Sequence, residues 1–436
     1  MSHKQNPPHS CVRWFDPLLI AVIVVGTYLL CSPLSWTDTE LTLVITVAVT
    51  VPMAAIEIWQ APWRRRPRPM MPLKTTLRRA AVRWLRVMAG LGLTLLAWAV
   101  LPEYRRELYK SLFEAMHIVL PYVPFVLALC ILFTEWRMGP APEEHTWRWG
   151  RWTKAEWAIV RNDLFGWLVR GIFLPINFCG LVSIINGFRG HEMGLLSGPW
   201  PKAEDAATNM IVAILVAAIV PGYLFGARLL GTEIKKVEQS WFGWAVTLAC
   251  YAPLHPGVFG GWVNFYLQNN TLGLDPWAFM LKGAPLLAYI AGGVLLFLEG
   301  IHYWSEATFG LRSSNLSNRG IITNGLFRFC KHPVYLVKCI SWALIWLPFM
   351  AGDTVWECFR LTLLWAGVCG IYFMRAWVEE RLLSEDQDYV DYALWIDKHG
   401  LFSRAGRLVP ALNYEWRLKR WRAQGDVGEP RVSRGS

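Results

Sequence analysis

The stretch LTLVITVAVTVPMAAIEIWQ, from Leu41 to Gln60, decides the architecture. It carries a single ionisable side chain, Glu57, and is long enough to cross a bilayer. The hydrocarbon core is about 30 Å thick and takes roughly 20 mainly apolar residues in an α-helix. Comparable runs recur near 17–36, 87–102, 112–134, 164–187, 207–230, 241–263, 283–304, 334–351 and 354–377. The third of the ten, 87–102, is short, and 241–263 is interrupted by Pro253 and Pro256-Gly257, the mark of a broken or re-entrant helix. Hydrophobic residues make up 54% of the chain and charged ones 17%, below the roughly 25% usual in soluble domains. Lipid is the solvent such a surface needs. The expected fold is therefore all-α: a polytopic integral membrane helical bundle of about ten transmembrane helices.

Charge orients the bundle. The net charge is +11, from 43 Lys+Arg against 32 Asp+Glu. If both termini are cytoplasmic, 34 of these cations fall on the cytoplasmic side and 6 in the opposite loops. That asymmetry is the positive-inside pattern, and it explains the basic balance without nucleic acid, which is not expected as a partner. The 26 Trp fit the headgroup layers. The basic run through 61–86 is expected to lie on anionic lipid, and 145–163, with its tryptophans among cations, to form an interfacial helix. Nine scattered Cys show no paired spacing, so neither a disulfide framework nor a zinc or other metal site is expected. The first apolar run lacks a small-x-small exit and is read as a retained helix in an inner or plasma membrane.

Polar residues inside or beside membrane spans mark function. They concentrate in the last quarter, at Lys331-His332-Pro333 with Tyr335, and at Arg375 with Glu379-Glu380. Pro333 suits the first turn of a helix, which sets Lys331 and His332 beside free N–H groups able to hold a carboxylate. Arg375 and Glu379 are i,i+4 neighbours. A short turn near Gly352-Asp353 would fold the last two spans into a hairpin and return Glu379-Glu380 to the level of His332. Paired carboxylates there suit ribose hydroxyls or an amine.

These residues carry a resemblance. Gly325-Leu326-Phe327-Arg328, then Lys331-His332-Pro333-Val334-Tyr335, a hydrophobic hairpin, Arg375, Glu379-Glu380, Leu383, Tyr389 and Tyr392 form a pattern over about 312–400. It resembles the isoprenylcysteine carboxyl methyltransferase family and is similar to the related phospholipid N-methyltransferases. The resemblance implies a C-terminal methyltransferase helical hairpin binding S-adenosylmethionine at the cytoplasmic face. Lys331, His332, Pro333, Tyr335, Glu379 and Glu380 would hold the cofactor, and Arg375 and Glu379 would serve the reaction. It implies a lipophilic or lipid-linked methyl acceptor, bearing a carboxylate, amine or thiol, that enters from the bilayer. The family's members are commonly compact, whereas here eight spans precede the motif.

The chain thus divides into an N-terminal bundle over 1–304, a methyltransferase-like region over 305–410, and a basic tail over 411–436 expected to be disordered. Tyr389 and Tyr392 are expected to pack and Cys330 to be structural. His255-Pro256-Gly257 with Trp262 and Asn264, the intraspan His117 and Arg170, Lys338, and Glu299 with His302 are secondary polar spots. Two other functions stay open on the sequence: a nicotinamide-dependent membrane reductase of the sterol or steroid type, and a non-enzymatic transporter or receptor.

Overall fold

In the computed structural model, residues 7–67, 71–139, 153–197, 200–251, 254 and 276–429 are described. The chain is nearly all helical. Its helices are α1 (Asp16–Cys31), α2 (Asp38–Gln60), α3 (Leu73–Val100), α4 (Lys110–Val119), α5 (Val123–Met138), α6 (Lys154–Ser197), α7 (Trp200–Leu224), α8 (Trp241–Leu248), α9 (Pro276–Met280), α10 (Pro285–Ala307), α11 (Pro333–Trp346), α12 (Val355–Leu383), α13 (Gln387–His399), α14 (Ser403–Leu408) and α15 (Tyr414–Gln424). Two short strands, β1 (Lys236–Val237) and β2 (Ser317–Asn318), pair antiparallel.

Among the described residues six helices, α2, α3, α6, α7, α10 and α12, contain stretches long and apolar enough to cross a membrane, and a seventh span arises if α4 and α5 count together. The other expected runs do not form single helices of that length among these residues, for identifiable reasons. The run 112–134 breaks at Leu120–Tyr122, where its halves bend by 67°. Pro121 lies within that break and Pro124 just after it, and neither has an N–H to donate. α1 stops just before Ser32-Pro33, and α11, 14 residues long, stops at Leu347-Pro348 with Leu347 in the left-handed region. At 1.5 Å per residue, α11 is about 21 Å long, short of the hydrocarbon core. Of the run 241–263, α8 is described, while Pro253 and Pro256-Gly257 lie outside the described residues, as do His255, Trp262 and Asn264.

Other boundaries move as well. α3 begins at Leu73, so half of the basic 61–86 segment is helix. There Arg79 and Arg83 pair with the buried Glu135 at 3.2 and 2.8 Å instead of facing only lipid headgroups. Residues 154–163 run straight into the long α6, which replaces the separate interfacial helix expected there, and 145–152 lie outside the described residues. Outward faces are apolar: Leu286, Leu287, Ile290, Val294 and Phe297 of α10 are all exposed. That surface suits hydrocarbon.

One end of the bundle carries a polar layer. Val12, Ile321, Phe327, Tyr392, Ile396, Tyr414, Leu418 and Trp421 form its core. The beginning of the chain joins it: Cys11 N–H donates to Ile321 O at 3.0 Å, and Thr323 Oγ1 to Pro8 O at 2.7 Å. Within the tail over 411–436, expected to be disordered, Tyr414–Gln424 form the helix α15. Asn413 Oδ1 caps it by accepting from Trp416 N–H at 2.9 Å, and Gly425, at φ 73°, ends it. Tyr414, Arg417, Leu418 and Trp421 lie on its buried face at i, i+3, i+4 and i+7 spacing.

Candidate functional site

The site lies where the α11–α12 hairpin enters the polar layer. The helices pack antiparallel, with Trp365 Nε1 donating to Cys339 O at 3.0 Å. Their connection spans 347–354, longer than the two- to three-residue turn expected. Pro333 occupies the first turn of α11, and His332 precedes it with no side chain capping the helix. The Val334 and Tyr335 N–H groups are therefore free of a side-chain acceptor, beside two carboxylates from the other wall.

Glu380, 2% exposed, is held by a lysine, an arginine and a histidine. His332 Nε2 lies 3.2 Å from Oε1, Lys331 Nζ 3.5 Å from the same oxygen, and Arg417 Nη2 2.6 Å from Oε2. Lys331 also reaches Asp397 on α13 at 3.3 Å and lies 5.1 Å from the Tyr414 ring centroid. Asp397 Oδ2 in turn accepts from the N–H groups of Tyr414 and Glu415 at 2.6 and 3.0 Å, which fixes the start of α15. Burial pushes the Tyr414 hydroxyl up in pKa, so it stays neutral beside Lys331. It shares a hydrogen bond with Ser384 Oγ at 2.8 Å.

Glu379 differs. Its side chain is 25% exposed. It accepts from Tyr335 Oη and from Arg375 Nε, the latter at 3.3 Å, and lies 3.7 Å from His332 Nδ1. The His332 and Tyr335 rings stack at 5.4 Å with 7° between planes. Arg375 is buried over Tyr335 and Tyr251, and its Nη2 donates to Asn315 Oδ1 at 2.5 Å. Asn315 is itself held by Tyr223 and Tyr251.

The structure thus brings together Lys331, His332, Pro333, Tyr335, Arg375, Glu379 and Glu380. Sequence reasoning missed Arg417, Asp397, Asn315 and Tyr251. The periodic spacing of Tyr414, Arg417, Leu418 and Trp421 was a signal for the first. Nothing local marks the other three, which arrive from distant elements. Tyr389 and Tyr392 are buried, and Tyr392 Oη donates to Phe327 O at 2.6 Å. Burial raises the Cys330 thiol pKa.

Beside the hairpin, His302 lies between Glu299 and Glu306 at 3.0 and 3.2 Å, and Lys338 bonds Glu306 at 3.0 Å. His117 is exposed and bonds its own helix at Phe113 O. Region 305–410 is laced to the first 304 residues. Lys236 bonds Glu385 at 2.5 Å, Arg381 bonds Glu238 at 3.3 Å, and Arg312 bonds Glu57 at 2.9 Å.

No protein-family model, no curated protein and no solved structure matches this chain.

Proposed function

We propose that the chain is a membrane-embedded S-adenosylmethionine-dependent methyltransferase acting on a lipid or lipid-linked acceptor at the cytoplasmic face. The supporting observation is the convergence of His332 and Tyr335 with Glu379 and Glu380 at an uncapped helix start. These are the residues through which the sequence resembles the isoprenylcysteine carboxyl methyltransferase family.

The donor set fits the cofactor. Free N–H groups at the α11 start attract a carboxylate, and Lys331 has three N–H donors with two directed at Glu380 and Asp397. Glu379, the more exposed of the two carboxylates, accepts from a hydroxyl or an ammonium. Glu380, held by Lys331, Arg417 and His332, acts through His332 and Lys331 by fixing where they point. Arg375 is buried against Asn315, so it orients Glu379 rather than touching the acceptor. The cofactor, when bound, supplies a methyl group on sulfonium sulfur, open to in-line displacement. The protein aligns the acceptor with that methyl and excludes water, and orientation of this kind contributes several kcal/mol, up to about 7–11.

Calorimetry on the purified full-length protein tests this. Glu379→Gln and His332→Ala should each weaken S-adenosylmethionine binding at least tenfold while helix content stays constant. Unchanged affinity in both variants rejects the site.

A further inference from the structure

Arg170 on α6 and Arg319, just after β2, meet at Gly226 beyond the end of α7. A Cβ at Gly226 would run into Nη2 of both arginines, so the glycine makes room for two adjacent guanidinium groups. Arg319 is 4% exposed and directs its donors at backbone carbonyls: Thr232 at 2.8 Å, Phe225 at 2.9 Å, Ser313 at 3.1 Å, and Gly222. Carbonyls fix its orientation but carry no countercharge. Among the described residues Arg170 makes no hydrogen bond and no ion pair, its Nε is sealed from solvent without a partner, and its guanidinium lies 5.5 Å from the Trp167 ring centroid. Two acids act on the pair from a distance, Asp163 on Arg170 and Glu233 on Arg319, but both are exposed, neither makes an ion pair with them, and Asp163, two turns back on α6, bonds Arg86 at 3.5 Å. Burial, with Arg170 alongside, lowers the Arg319 pKa.

The position suits an anion from the membrane. α6 meets the polar layer at Asn162, whose Oδ1 accepts from Val237 N–H at 2.9 Å. Arg170 lies further along the helix, about 12 Å at 1.5 Å per residue. Leu224 and Phe225 beside the pair are exposed, and Gly226 is partly exposed, so the pair lies next to the apolar outer rim. The Arg170 fork matches phosphate oxygens in charge and geometry, and Arg319, whose donors go mostly to carbonyls, adds positive charge beside it.

We propose that Arg170 and Arg319 form a phosphate-binding site, filled by the headgroup of a phospholipid. It is separate from the His332–Glu380 pocket and does not depend on the function proposed for that pocket. The test uses full-length protein in phosphate-free detergent. It is titrated separately with short-chain phosphatidylglycerol, the matching diacylglycerol without phosphate, and inorganic phosphate. Phosphatidylglycerol should bind at least tenfold more tightly than diacylglycerol. Arg170→Gln and Gly226→Ala should each abolish the difference, Arg170→Lys should retain part of it, and Arg404→Gln, on an exposed position, should change nothing. Competition by inorganic phosphate would support the site and extend it to the free ion; a lipid-only response assigns it to headgroups. Equal binding of the two lipids, or wild-type binding by both Arg170→Gln and Gly226→Ala, overturns the proposal. Thermal melts of every variant separate lost binding from lost folding.

Discussion

Glu379 and Glu380 are adjacent in sequence and opposite in surroundings. Glu380 is buried among His332, Lys331 and Arg417, whereas Glu379 is partly exposed. Removing one partner from a buried charge network leaves the rest uncompensated, at a cost of about 3–5 kcal/mol. Glu380→Gln should therefore destabilise the protein by about that amount. Glu379→Gln, losing partly exposed bonds, should cost only about 1–2 kcal/mol. Ligand affinity should follow the reverse order after correction for folding, because Glu379 is the carboxylate a ligand can reach. Denaturant melts combined with calorimetry on the two variants check this. A Glu379→Gln variant that melts lower than Glu380→Gln would exchange the two roles.

At the scale of elements, α15 is the piece that closes the site from outside the hairpin. It buries Tyr414, Leu418 and Trp421 and delivers Arg417 to Glu380. Each large apolar side chain contributes roughly 1.5–3 kcal/mol when buried. A chain ending at Asn413 should lose several kcal/mol from the polar layer alone. Amide exchange in α13 should accelerate at least tenfold, while α6 and α7 keep their protection; unchanged exchange in α13 would show that α15 only rests on the surface. This helix also shows what the sequence conceals. Lys331-His332-Pro333 and Glu379-Glu380 are legible because each is a contiguous polar cluster at the end of an apolar run. α15 is strongly polar on average, and its four-residue stripe is obscured by the Gly- and Arg-rich residues that follow. Asn315 and Tyr251 are illegible for another reason: they reach Arg375 through tertiary packing, with no periodic signal. Helix lengths within the apolar runs are hidden where proline decides them, at Pro121, Pro124 and Pro348, because composition alone does not register a break in a helix.

At the scale of the molecule, distant parts of the chain meet at one end. Arg13 and Arg312 share Glu57, Trp63 Nε1 donates to Leu229 O at 2.9 Å, and Lys235 reaches Asp386 at 3.4 Å. At the other end Arg189 bonds Trp36 O and Asp38 at 3.1 and 2.8 Å. The start of the chain and α13–α15 therefore belong to the same layer, whatever number of helices crosses the bilayer completely. The cation excess falls on that layer, so it should face the cytoplasm. Fusions of an alkaline phosphatase, active only after export, test the orientation. Fusions after Arg66 and after Glu429 should be inactive, and a fusion after Asp353, in the α11–α12 connection, should be active. The Asp353 fusion is the sharpest of these, because α11 is short for a full crossing. Activity there requires that α11 and the first part of α12 reach the far interface by thinning or tilting the local bilayer. Inactivity at all three points would instead make the hairpin re-entrant, with its turn held inside the membrane.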